Sequence, residues 1–173
     1  MSQITQDTFA SAVARYFEPI AKEQGWMLIR QNPHLYEIRT AHFVMRIRFE
    51  TGAHRKSINA TLIPASEMPG DIEKGGHGEL GVVVVAGYNG LPIDYIPWAQ
   101  TEEGLFEEAQ YRANMAREYG LPYLLGQKSD WERVKEYINE KIEERSKEIR
   151  KFKFPPNVQK RWHLPPEFPK KEE

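Results

Sequence analysis

The chain has 173 residues, 40% of them apolar and 28% charged, with a net charge of −1. This composition is globular and excludes collagen-like, low-complexity and wholly disordered chains. There is no cysteine, which removes disulfides, thiolate zinc sites and a cysteine nucleophile together. The longest apolar run, Val82 to Ala86, is far short of the ~20 residues that cross a bilayer. No basic and then apolar leader opens the sequence, so a cytoplasmic protein with no membrane partner is expected.

Phe9, Val13, Phe17 and Ile20 recur near helical spacing and predict a first helix with one apolar stripe. Thr5 or Asp7 caps its start, Gly25 supplies a left-handed exit, and Pro19 predicts a kink or an early end. Four strands follow, Trp26–Arg30, Leu35–Arg39, His42–Glu50 and Ser57–Ile63, punctuated by Asn32-Pro33, Thr40-Ala41 and Thr51-Gly52. The third has the clearest alternation. Phe43, Met45, Ile47 and Phe49 face the core, and His42, Arg46, Arg48 and Glu50 face water. In the fourth, Ile58, Ala60 and Leu62 point inward while Ser57, Asn59 and Thr61 point outward. Short connections predict an antiparallel meander with the first helix on its apolar face.

Seven glycines and prolines between Pro64 and Gly81 predict a long loop, Gly-rich over residues 70–81. Leu80–Ala86 reads as a buried strand. Asn89-Gly90 marks a turn, and Leu91–Ile96 reads as a return strand restricted to an edge by its prolines. A helix starts after Thr101, with Phe106, Ala109, Ala113 and Ala116 on one side, and ends at Gly120-Leu121-Pro122. Ser129-Asp130-Trp131-Glu132 forms a capping box before a charged helix over 130–151. Pro155-Pro156, Pro165-Pro166 and Pro169 then make an extended tail. The expected fold is α+β: an antiparallel meander of about five or six strands, an N-terminal helix packed on it, two C-terminal helices and a Pro-rich tail. Residues 1–152 are expected to form one domain and 153–173 the tail.

Charge is unevenly spread. Six basic and two acidic side chains make residues 26–63 net +4, whereas four basic and eleven acidic side chains make residues 64–130 net −7. The outward parity of the strands gathers Arg39, His42, Arg46 and Arg48, with Arg55 and Lys56 at the next turn. Such a face suits a partner's carboxylates or phosphates. Nucleic acid would also require stacking aromatics there, and Phe43 and Phe49 point inward instead. Glu37, Glu50 or the acidic helices are the internal alternative. Trp162 in the tail is a further candidate for partner contact.

Two enzymatic patterns are also present. Gly76-His77-Gly78-Glu79-Leu80-Gly81 matches the dinucleotide-binding letters, but it follows a loop and precedes a strand. The mechanism needs the reverse, a strand before and a helix after. No cofactor is therefore expected. His77 as acid or base, oriented by Glu79 or Asp94, makes a hydrolase the alternative function. The five histidines are scattered without a His-x-x-x-His pair, so no metal site is expected.

Gly25-Trp26 after the first helix, and Leu124-Leu125-Gly126 leading to Asp130-Trp131 after a later one, resemble the small bacterial toxin-immunity proteins. That resemblance implies a non-enzymatic protein that blocks a toxin by stoichiometric binding. Its interfaces vary between members, so no functional residue is carried over. The leading expectation is a protein-binding module, immunity-like, with a toxin domain as partner. The alternatives are the hydrolase and nucleic-acid binding through the basic strands. The apolar seam of helix 130–151 also suits a homodimer contact.

Overall fold

Five antiparallel strands pair in chain order: β1 (Leu28–Asn32), β2 (Leu35–Arg39), β3 (Phe43–Gly52), β4 (Arg55–Pro64) and β5 (Leu80–Gly81). This is the sheet of a computed structural model that describes residues 4–52, 55–68, 79–91 and 99–151. The class is α+β, as the alternation predicts. In the register, Met45, Ile47 and Phe49 of β3 lie opposite Leu62, Ala60 and Ile58 of β4. All six are buried, so the period-two pattern places them on one face.

Helix α1 (Gln6–Tyr16) covers that face. Thr5 caps it, accepting from the Thr8 amide at 3.2 Å while its own amide donates to the Thr8 hydroxyl at 3.3 Å. Phe9, fully buried, stacks on Phe49 at 5.1 Å and meets Tyr36 edge-on at 5.6 Å. Burying a side chain of this size contributes about 2 kcal/mol. Pro19 acts as the sequence suggests. The helix ends at Tyr16 and a short α2 (Glu18–Glu23) begins with Pro19 in its first turn, where no amide is missed. Gly25 then turns the chain at φ +70°, with the Trp26 amide donating to Ala21 O at 2.8 Å.

The valine run departs from its expectation. Only Leu80–Gly81 is a strand, and Val82–Tyr88 forms helix α3. Val82, Val85 and Ala86 are its buried residues, a three-and-four spacing that a strand cannot place on one side. Asn89-Gly90 closes this helix rather than a hairpin. Asn89 Nδ2 donates to Val85 O at 2.7 Å, and Gly90 takes φ +91°. Tertiary burial has overridden the strand propensity of valine here. Residues 69–78, 92–98 and 152–173 lie outside the described residues, and with them the Gly-rich loop, most of the proposed return strand and the tail.

Thr101 caps α4 (Glu102–Met115), accepting from the Gly104 amide at 3.1 Å. The chain does not stop at Gly120. A π-helical turn (Ala116–Gly120) passes into α5 (Leu121–Leu124). A Cβ at Gly120 would lie 3.3 Å from Met45 Cε and 3.4 Å from Leu62 Cδ1, so glycine permits this close approach to the sheet.

An aromatic cluster ends the first of two compact units, Met1–Trp131 and Glu132–Glu173. Trp131 lies 4.9 Å from Phe43 and 5.2 Å from Tyr123, ring centre to ring centre. The Tyr123 hydroxyl donates to Asp130 Oδ1 at 2.8 Å. Asp130 thus serves a tyrosine, and helix α6 begins one residue later (Trp131–Lys151). In the second of the two segments that carry the immunity-protein resemblance, Leu124 and Trp131 are therefore packing residues.

Burial, then the bond to Asp130 and its charge, hold the Tyr123 phenol well above the usual tyrosine range. Folded chain keeps this proton where unfolded chain has lost it. The stability it contributes is therefore complete below about pH 10 and is lost as pH rises beyond that. Melting temperatures measured between about pH 9 and 11 should fall less steeply for Tyr123→Phe than for the native chain. Equal slopes would refute this assignment.

Candidate interaction surface

Of the charges expected to face water, Arg46 is sealed, Arg48 and Lys56 are half-buried, and Arg39 and His42 are exposed. Glu37 and Arg46 are directly opposite on β2 and β3, and Thr61 follows on β4. Glu37 and Arg46 are both 0% exposed. Arg46 Nε donates to Glu37 Oε1 at 3.0 Å and its Nη1 to Glu79 Oε2 at 3.3 Å. Arg39 holds the other Glu37 oxygen at 2.6 Å, and Gln31 donates to that same oxygen at 3.0 Å. Glu79 also accepts from the Thr61 hydroxyl and lies 3.7 Å from Arg48. Three guanidinium groups thus close on two carboxylates. Arg46 belongs to the fold's interior and not to its surface, which corrects the expectation from parity. Leu35, Val44 and Ile63, on the same side of the sheet, are buried too. The second face of the sheet is a second core. Removing either partner of an ion pair there strands the other's charge, and Arg46 Nη2 is itself buried without a hydrogen-bond partner among the described residues.

The remaining candidates scatter. Arg39 and Arg48 reach the rim, with side chains 45% and 30% exposed. His42 is exposed, with its ring against Gly126: a Cβ on that glycine, at φ +69°, would lie 2.6 Å from His42 Nε2. Lys56 donates to Ile4 O, tying the N-terminal segment to β4. Glu79, proposed to orient a catalytic histidine, is instead occupied by Thr61, Arg46 and Arg48. His77, Asp94 and Trp162 lie outside the described residues, as does the side chain of Arg55. Among the described residues no group of three metal-ligating side chains assembles, and no helix is long and apolar enough to cross a membrane.

A different surface appears at the opposite end of the sheet. Strand β1 is an edge, and no described strand pairs with its outer side. Beside it lies an open groove of about 390 Å³ between α1, α2 and the β1–β2 hairpin. Ala10, Ala14 and Ala21 line it from the helices, and Trp26, Met27, Leu28 and Tyr36 line it from β1, β2 and the turn before β1. Met27 is 75% exposed. On the rim, Lys22 is paired with Glu18 at 2.9 Å. Arg30 is exposed and lies 5.7 Å over the Tyr36 ring, with no carboxylate on it among the described residues. The groove went unseen in the sequence because three alanines from two helices make it. Each reads locally as a good helix former, and only packing reveals the space their missing side chains leave.

In the second unit, α6 pairs Lys135 with Glu132, Lys141 with Glu144 and Lys147 with Glu143. Ile142 is exposed among them. The alternation of charge is the solvated face that the sequence predicts.

Neither a family model, nor a curated protein, nor a solved structure matches the chain.

Proposed function

We propose that this protein acts by stoichiometric binding of another protein, and that neutralising a toxin domain is its specific task. The supporting observation is Met27, exposed beside a groove lined mainly by apolar side chains, at a sheet edge that no described strand pairs. A large apolar side chain held in water at the mouth of a concave apolar surface gains most by being covered. A folded sheet edge adds main-chain donors and acceptors for the same partner. The immunity-protein resemblance supplies the toxin as the partner class.

The test is co-expression with the product of the adjacent gene, followed by size-exclusion chromatography with light scattering. A complex of fixed integer stoichiometry is expected. Met27→Asp should weaken it at least about tenfold, the scale of a lost apolar contact near an interface centre. His77→Ala should leave it intact. Absence of a complex, or turnover of a substrate abolished by His77→Ala, would reject this reading.

A further inference from the structure

We infer that the partner contributes an extended segment that adds as a sixth strand to the outer edge of β1, with apolar residues at the alternate positions that face the groove and an acidic residue at the one of these positions opposite Arg30, which shares its side of β1 with Leu28. This rests on the protein-binding reading and names the recognition chemistry. In an antiparallel pair, every second residue of a strand turns its amide and carbonyl away from its neighbour. Those of β1 on the side away from β2 meet no described strand. The groove is placed to receive what such a segment would carry. Leu28 and Tyr36 line it from the sheet, and Ala10, Ala14 and Ala21 from the helices above. A strand laid beside β1 directs alternate side chains onto that helix-bearing side. The other alternate positions stay at the rim.

Charge selects the residue opposite Arg30, on the groove side of the added strand. Lys22 and Glu18, one turn apart on α2, neutralise each other. Arg30 has only an aromatic ring beneath it and no described carboxylate, and the surrounding residues 26–63 are net +4. An acidic side chain opposite Arg30 completes this edge, whereas a basic one meets repulsion. A second copy of the chain fits less well. Antiparallel self-pairing centred on Arg30 opposes two like charges. The strand is also only five residues long, with a register shift between Arg30 and Asn32.

The probes are two blocked synthetic heptapeptides that alternate apolar residues with serine, in which one central apolar position is replaced by glutamate in one peptide and by lysine in the other. Titration calorimetry on the full chain should find the glutamate peptide bound about three- to fivefold more tightly, the effect of one exposed ion pair. Arg30→Glu, at an exposed position, should reverse that order. N-methylation of alternate amides in the glutamate peptide should abolish binding, because it removes the main-chain donors and leaves the side chains. Unchanged binding of the N-methylated peptide, or no binding of either peptide, would overturn strand addition. A dimer of the chain itself that Arg30→Glu dissolves would also overturn it, assigning the edge to a second copy. If the co-expressed partner still forms its complex in any of these cases, only the strand addition fails and the protein-binding reading stands.

Discussion

Arg46→Met is expected to lower the unfolding free energy by about 3–5 kcal/mol, the cost of breaking a buried ion pair from one side. Methionine keeps the apolar stem and removes the guanidinium, so packing loss is small and the electrostatic loss is isolated. Glu37 Oε1 and Glu79 Oε2 then lose their donor inside a site where Glu37 has no solvent contact. Arg39, Gln31, Thr61 and Arg48 still reach the other two oxygens, so unfolding is not total. The triple variant Glu37→Gln with Arg46→Met and Glu79→Gln removes the stranded charges and should recover most of the loss. Denaturant midpoints at constant slope measure both. A loss below about 1 kcal/mol for the single variant would mean that this cluster is hydrated rather than sealed.

The second large effect is expected at Glu108. Its buried carboxylate accepts from the Ser57 hydroxyl at 2.5 Å and from the Ile58 amide at 3.3 Å, and it pairs with Arg112 at 3.0 Å. The Ile58 amide is on the side of β4 that β5 leaves open, since β5 pairs only with Thr61 and Leu62. One side chain of α4 thus pairs a buried stretch of β4 between the Lys56–Ala99 bridge and β5, which would otherwise offer its main-chain groups to other chains. Glu108→Ala strands two buried donors and a cation, and should cost about 3 kcal/mol. Glu108→Gln keeps an acceptor and should cost about half as much. Light scattering during thermal unfolding should also show earlier aggregation for the alanine variant. If the two variants lose equal stability, charge rather than edge capping holds α4 on the sheet.

Both variants concern the interior, while the proposed partner surface lies at the other edge of the sheet. Stability and binding are therefore separable. Met27 and Arg30 can be changed with little effect on the core, because their side chains meet solvent. Arg46 and Glu108 cannot.

The alternation from Phe43 to Glu50 was sufficient to locate β3 and its core face, and Leu35–Arg39 was read with its observed bounds. The Thr5 cap, the break at Pro19 and the turn at Gly25 were equally legible, because each is set by chemistry within a few residues. Glu108 was missed, though a signal was present. It sits three residues after buried Leu105 and one before buried Ala109, so its position on the buried stripe could have been counted. The valine run reads as a strand because strand propensity is local, whereas α3 is set by what packs on it. Arg46 was misplaced for a related reason. Parity assigns a side of the sheet, and whether that side meets water depends on chain far away in sequence.

By itself the sequence determined the class, the meander of the first four strands and their core-facing residues, since these follow from periods of two and of 3.6 and from local turn chemistry. Tertiary structure alone decided that the second face is also interior, that Glu37 and Glu79 take up the arginines, and that a groove opens beside Met27. Burial, ion pairing and concavity are properties of surfaces brought together from separate elements, and no stretch of chain contains them.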